Sequence, residues 1–104
     1  MHKNSNNAIG NFGIYEIVVF GVTYKIGKAD LDRLTLLSGS PTRIHQQIVK
    51  LRKKYGKGNV FFSIIETLIG VKTKEAKEME HQFLWYYYKQ NGIIPEGNKR
   101  SFKP

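Results

Sequence analysis

The chain has 104 residues, enough for one domain with one modest core and no second. Forty per cent apolar and 24 per cent charged residues describe a globular composition, and the lack of cysteine excludes disulfides, thiolate nucleophiles and Cys-based zinc sites. Seventeen basic residues face eight acidic ones, a formal net charge of +9, and a surface of that sign takes phosphate polyanions as its commonest partners.

Residues 1–11 are Asn-rich and read as a flexible N-terminus, which leaves residues 12–104 as the single domain. The start is polar, with no apolar stretch of a secretion signal, and no apolar run matches a bilayer, so a cytoplasmic location is expected. From Gly13 to Phe20 the chain is rich in β-branched and aromatic residues, and Val22 to Gly27 continues in kind. Gly21 between them predicts a β-hairpin. Asp30 is positioned to cap a short helix over 31–37, which Gly39 would end. Ser40-Pro41 reads as an N-cap with proline at the first helical position. Ile44, Ile48, Leu51 and Tyr55 then recur at helical spacing, so 41–55 predicts an amphipathic helix. Its other faces carry Lys50, Arg52, Lys53 and Lys54, which suit either solvent at a helix C-terminus or nucleic-acid phosphates, as does Lys28.

Gly56 to Asn59 is a turn. Val60 to Leu68 is mostly apolar and predicts a third strand buried on both faces. Thr73 can cap a last helix to about Gln90, stopped by Asn91-Gly92, and the tail from Ile93 is irregular. The expected class is α+β: a small three-stranded mixed or antiparallel sheet with about three helices, in the order β-β-α-α-β-α.

Glu80 disturbs this plain pattern. Its helical neighbours Ala76, Phe83, Leu84 and Tyr87 are all apolar or aromatic, so the carboxylate springs from the face that packs inward. Glu75 and Glu78 instead have polar neighbours such as Lys74 and Gln82. A half-buried carboxylate needs a cation, a metal or strong donors, which leaves a structural salt bridge or a hard divalent ion as its partner. The histidines, His2, His45 and His81, are too dispersed for a multi-His metal cluster. In the hairpin, Tyr15 and Lys25 are polar tips among Ile and Val. They share a face if the turn is centred on Phe20 or Gly21, and a shift of one residue would separate them.

Taken in order, these segments resemble the GIY-YIG nuclease superfamily. Gly13-Ile14-Tyr15 matches the first half of its signature, and Lys25-Ile26-Gly27 stands at the second half with lysine in place of tyrosine, as in some restriction endonucleases of the superfamily. Tyr24 is adjacent, but strand alternation would turn it to the other side. His45, Ile48, Leu51 and Gly58 to Phe61 are similar to the second helix and third strand of phage homing endonucleases. Glu80 with Phe83-Leu84-Trp85 looks like the family's metal-binding glutamate and its aromatic partners, and Asn98 after Gly97 like the asparagine that closes the module.

The resemblance implies an endonuclease that hydrolyses DNA phosphodiester bonds with one Mg²⁺ or Mn²⁺ ion on Glu80. It implies that Tyr15 activates water, Lys25 and an arginine lower the tyrosine's pKa, His45 contacts phosphate or assists proton transfer, and Asn98 orients the site. Arg33 and Arg43 both match the catalytic arginine, and Arg33 is slightly favoured. The expected partner is double-stranded DNA, with specificity left to a weak preference, a homodimer or a separate partner. Restriction, homing, repair and defence remain open roles. A basic DNA- or RNA-binding module without catalysis is the alternative.

Overall fold

A computed structural model describes residues 6–36 and 38–104. Strands β1 (Ile9–Val19) and β2 (Val22–Asp30) form the hairpin, and β3 (Val60–Lys72) follows the first helix, α1 (Thr42–Tyr55). A second helix, α2 (Thr73–Asn91), and a single 3₁₀ turn at Glu96–Asn98 complete the chain. The sheet is antiparallel throughout, in the order β2-β1-β3. The α+β class is therefore as expected, with two α-helices rather than three.

The hairpin turns on Phe20 and Gly21, whose φ angles of +50° and +76° suit a two-residue connection between right-twisted strands. A phenylalanine rarely adopts that conformation. Here its ring packs edge-on against Tyr55, 6.1 Å between centroids, and its N–H donates to the Asn59 carbonyl at 2.9 Å. This turn sets Val19 opposite Val22, a register that would carry on to Ile26 opposite Tyr15, but the bulge at Tyr24, between the Val18–Thr23 and Ile17–Lys25 pairs, shifts it by one, so Tyr15 falls opposite Gly27 and Ile17 opposite Lys25. Directly opposed residues share a face, so Tyr15 and Lys25 do share one, but the turn is centred between Phe20 and Gly21 and it is the bulge that brings the two to the same side.

β1 is the central strand, and each of its faces feeds a separate core. Tyr15, Ile17 and Val19 pack with Ile44, Ile48 and Leu51 of α1. Ile14 packs with Ile26, Leu84 of α2 and Phe102 of the tail. The strand buried on both faces is thus β1, not β3 as its apolar run suggested. β3 lies at the sheet edge, and Phe61, Ile64, Ile65 and Ile69 are all exposed. Hydrophobic content marks a strand but does not rank strands by position in a sheet.

Three boundaries shift for local reasons. No helix forms over 31–36: Asp30 Oδ1 accepts from the Asp32 N–H, Gly39 N–H bonds the Thr35 carbonyl, and Leu34 bridges to Pro41. Leu37, inside that expected helix, lies outside the described residues, as do residues 1–5 of the expected flexible start, His2 among them. Residues 9–11 of that start are already strand. The cap of α1 is Pro41 rather than Ser40, and Lys72 takes the cap position of α2, its N–H donating to Glu75 Oε1 at 3.4 Å. Thr73 lies one residue inside α2, its hydroxyl on the Ala8 carbonyl at 3.2 Å. Among the described residues no helix is long and apolar enough to cross a membrane.

The outer edge of β2 is closed by a side chain. Asn98 is buried, its Oδ1 accepts from the Ile26 N–H at 2.9 Å, and its Nδ2 donates to the Ile26 carbonyl at 2.8 Å. One amide thus copies the pairing of a neighbouring strand. Losing both bonds leaves two buried backbone groups unmet, at about 1–3 kcal/mol each when no water replaces the amide. Asn98→Ala is expected to lower unfolding free energy by roughly 2–4 kcal/mol in urea titration. A loss below about 0.5 kcal/mol, the scale of an ordinary surface substitution, would show that the clamp holds nothing.

Candidate active site

Tyr15 is fully buried and lies across Gly27. A Cβ at Gly27 would stand 2.4 Å from both the Cζ and the hydroxyl oxygen of Tyr15, so only glycine lets the phenol occupy this position. Gln47 Nε2 donates to the Tyr15 hydroxyl at 2.7 Å and also reaches the Arg43 carbonyl at 3.2 Å. Burial raises the phenol's pKa above its ordinary value. The Gln47 bond and the Arg43 guanidinium oppose that rise, and the Glu80 charge adds to it. Of the groups expected to lower the phenol's pKa, Arg43 does so, joined by Gln47, and burial outweighs both.

Glu80 is half-buried, and among the described residues it has no hydrogen-bond or ion-pair partner. Loss of hydration raises its pKa, and Lys28, then Arg43, Lys25 and His81 counter that rise. Lys25 and Lys28 are both lowered, first by burial and next by Arg43, with Glu80 opposing. Lys25 stands opposite Ile17 on the α1 side of the sheet, and Lys28 opposite Ile14 on the α2 side. β2 is an edge strand, so the two ammonium groups approach Glu80 from either face of that edge. Arg43 and Glu80 thus act electrostatically on Tyr15, Lys25 and Lys28, and four elements contribute these five groups.

Other expected residues lie elsewhere. Arg33 is exposed in the turn before α1 and acts on none of these groups, whereas Arg43, exposed in the first turn of α1, acts on all of them. His45 is half-buried, its Nδ1 3.2 Å from Ser38 Oγ, and does not join the cluster. Asn98 spends both amide atoms on Ile26 and so acts through the strand that carries Lys25. Lys50, Lys53 and Lys54 are exposed on α1, but Arg52 is tied to the Val60 carbonyl by Nε and a terminal nitrogen, at 3.3 and 3.1 Å. Gln47 was not anticipated. Its place one helical turn after Arg43, beside the Ile44 and Ile48 stripe, is the signal that marks it.

A metal would find a particular donor set. Among the described residues no three His, Asp or Glu side chains gather to form an all-protein cage. Within the cluster Glu80 offers a hard oxygen donor without a hydrogen-bond partner, which suits an ion that keeps most of its shell for water and substrate phosphate, as Mg²⁺ does.

Because Glu80 has a folded-state pKa above its unfolded value, the native state holds the extra proton between the two. Stability from this group is therefore full at low pH and falls as pH rises through that interval. Glu80→Gln is expected to raise stability at pH 7 by about 1 kcal/mol, the low end for a polar group buried without a partner. The gain should vanish near pH 4, and equal gains at both pH values in urea titration would exclude this origin. Neither a protein-family model, a curated protein nor a solved structure matches the chain significantly.

Proposed function

We propose that this protein is a metal-dependent endonuclease that hydrolyses DNA phosphodiester bonds. The observation that carries the reading is the meeting of Tyr15, Lys25, Lys28, Arg43 and a partnerless Glu80 around the edge of β2. Three cations against one carboxylate leave the cluster positive, and a phosphate diester is the anion it suits. Arg43 would fork onto the non-bridging oxygens and offset charge that grows there in the transition state. Lys25 and Lys28 would deepen the same field.

Mg²⁺ or Mn²⁺ fits Glu80, and when bound it supplies positive charge to a phosphate oxygen and to the departing 3′ oxygen. Water attacks phosphorus as the P–O3′ bond breaks. Tyr15 as phenolate would take the proton of that water, and solvent would protonate the 3′ oxygen. Gln47 donates to the phenol oxygen, an arrangement that favours the phenolate. Lys50, Lys53 and Lys54 on α1 extend the basic surface for the rest of the duplex.

One observation favours a DNA- or RNA-binding module without catalysis instead: Tyr15 is sealed, with Gln47 over its hydroxyl. In a working enzyme Gln47 must yield when substrate enters. Plasmid cleavage with Mg²⁺ or Mn²⁺ separates the readings. Glu80→Ala, Tyr15→Phe and Arg43→Ala are each expected to lose at least about 100-fold in rate, while Arg33→Ala stays within about threefold of the parent. Chelator should abolish cutting, and Glu80→Gln should still bind DNA. If Glu80→Ala and Tyr15→Phe cut like the parent, the nuclease reading is lost.

The pH profile gives a second check. With the phenol held above its ordinary value, the phenolate fraction grows about tenfold per pH unit through the neutral range. Cleavage should rise accordingly between pH 7 and 9, and a flat profile would remove Tyr15 as the proton acceptor.

A further inference from the structure

A cavity of about 590 Å³ lies beside the charged cluster, at the hairpin end of the molecule. Tyr24 of β2, Tyr55 of α1 and Tyr88 of α2 line it, together with Ile93 and Pro95 of the tail and Lys99. All three tyrosines are half-buried, and among the described residues none of their hydroxyls has a hydrogen-bond partner. Tyr24 and Tyr55 stand edge to face, 6.4 Å between centroids, and the Lys54 ammonium lies 5.2 Å from the Tyr55 ring centre. Aromatic walls with the Lys54 ammonium beside Tyr55 suit a planar heteroaromatic group that carries a phosphate, while Lys99 is already paired with Glu96 of the same lining at 2.7 Å.

The cavity shares a wall with the proposed active site. The ladder slips between Ile17 and Val18, so Tyr24 is bulged and packs on the α1 side, the side on which Lys25 stands opposite Ile17. Behind both lies Gly97, where a Cβ would come within 2.9 Å of the Tyr24 ring and 3.0 Å of Lys25 Cβ.

We propose that this cavity is a nucleobase site, which takes one unstacked base from the DNA strand whose phosphate Lys25 and Arg43 hold. Stacking on tyrosine is tolerant of base identity and needs no major-groove readout. The inference rests on the nuclease reading for its phosphate, but its test does not depend on cleavage. The same chemistry would admit the base of a free nucleotide, so the experiment includes both sources.

The full chain carrying Glu80→Gln, with tyrosine rings isotopically labelled, is titrated by NMR with a single-stranded oligodeoxyadenylate, with dAMP and with inorganic polyphosphate. Ring resonances of Tyr24, Tyr55 and Tyr88 are expected to shift with the oligonucleotide and not with polyphosphate. Ile93→Trp, which fills the cavity from an exposed position, and Tyr88→Leu should each weaken oligonucleotide binding about tenfold, the loss of one stacked base. Should Tyr88→Leu fail to fold, Ile93→Trp carries the test. Equal responses to polyphosphate and DNA, or unchanged affinity in Ile93→Trp, would overturn the site. Binding of dAMP as tight as that of the strand would overturn the strand as source. A protein that cuts DNA without any response of these tyrosines would refute the cavity alone, and one that shows the response without cutting would refute only the nuclease.

Discussion

Tyr15 lies across the backbone of Gly27, and much of the site follows from that contact. The phenol fills the space where a Cβ would be, 2.4 Å away, so strand pairing and ring placement specify each other. The Phe20-Gly21 turn together with the bulge at Tyr24 sets the register that brings them together, and without the bulge Tyr15 would stand opposite Ile26 instead of Gly27. α1 then has a defined surface to cover. Its Ile44, Ile48 and Leu51 stripe seats on Tyr15 and Ile17, which aims Arg43 and Gln47 at the phenol's polar end.

The edge strand is the second constraint. A strand that carries two half-buried lysines at a sheet edge would fray unless its outer groups were met. Asn98 meets them at Ile26, between Lys25 and Lys28 in sequence, and so the tail stiffens the strand that presents both cations. This gives the asparagine a positional role without any place among reacting atoms. It also accounts for the closeness of Gly97 to Tyr24 and Lys25, since the turn that delivers Asn98 must press against β2.

Residues whose placement follows from local chemistry were legible in the sequence. The two-residue hairpin, the helical stripe from Ile44 to Tyr55 and the Gly92 stop of α2, with φ of +70°, each rest on near neighbours. Glu80 was legible because its helical neighbours were apolar. What required the tertiary structure was pairing order. Nothing in the composition of β3 says that it lies at an edge while β1 lies at the centre. Arg33 was expected on a helix over 31–37, and the Asp30 and Ser38 turn bonds stand in place of that helix over the described residues, while Arg43, at the start of α1, is the arginine whose charge acts on Tyr15, Lys25, Lys28 and Glu80. Tyr24 escaped strand alternation because a bulge is invisible to a period of two.

The electrostatics of the cluster bear on why such a fold tolerates it. Lys25, Lys28 and Arg43 repel one another, and burial adds to the strain on both ammonium groups. Glu80 gives up hydration to stand among them, and the net result is still unfavourable to its charge. Lys25, Lys28 and Glu80 are each held in a state that burial opposes, and an arrangement selected for stability alone would replace them with apolar side chains or pair them closely. Net positive charge with an unpaired acid beside it is relieved only by a ligand that carries both signs, an anion for the cations and a cation for the acid. A phosphate diester with a divalent ion is such a ligand, and that requirement of charge distinguishes this site from the plainly basic face of α1, where Lys50, Lys53 and Lys54 are already relieved by water.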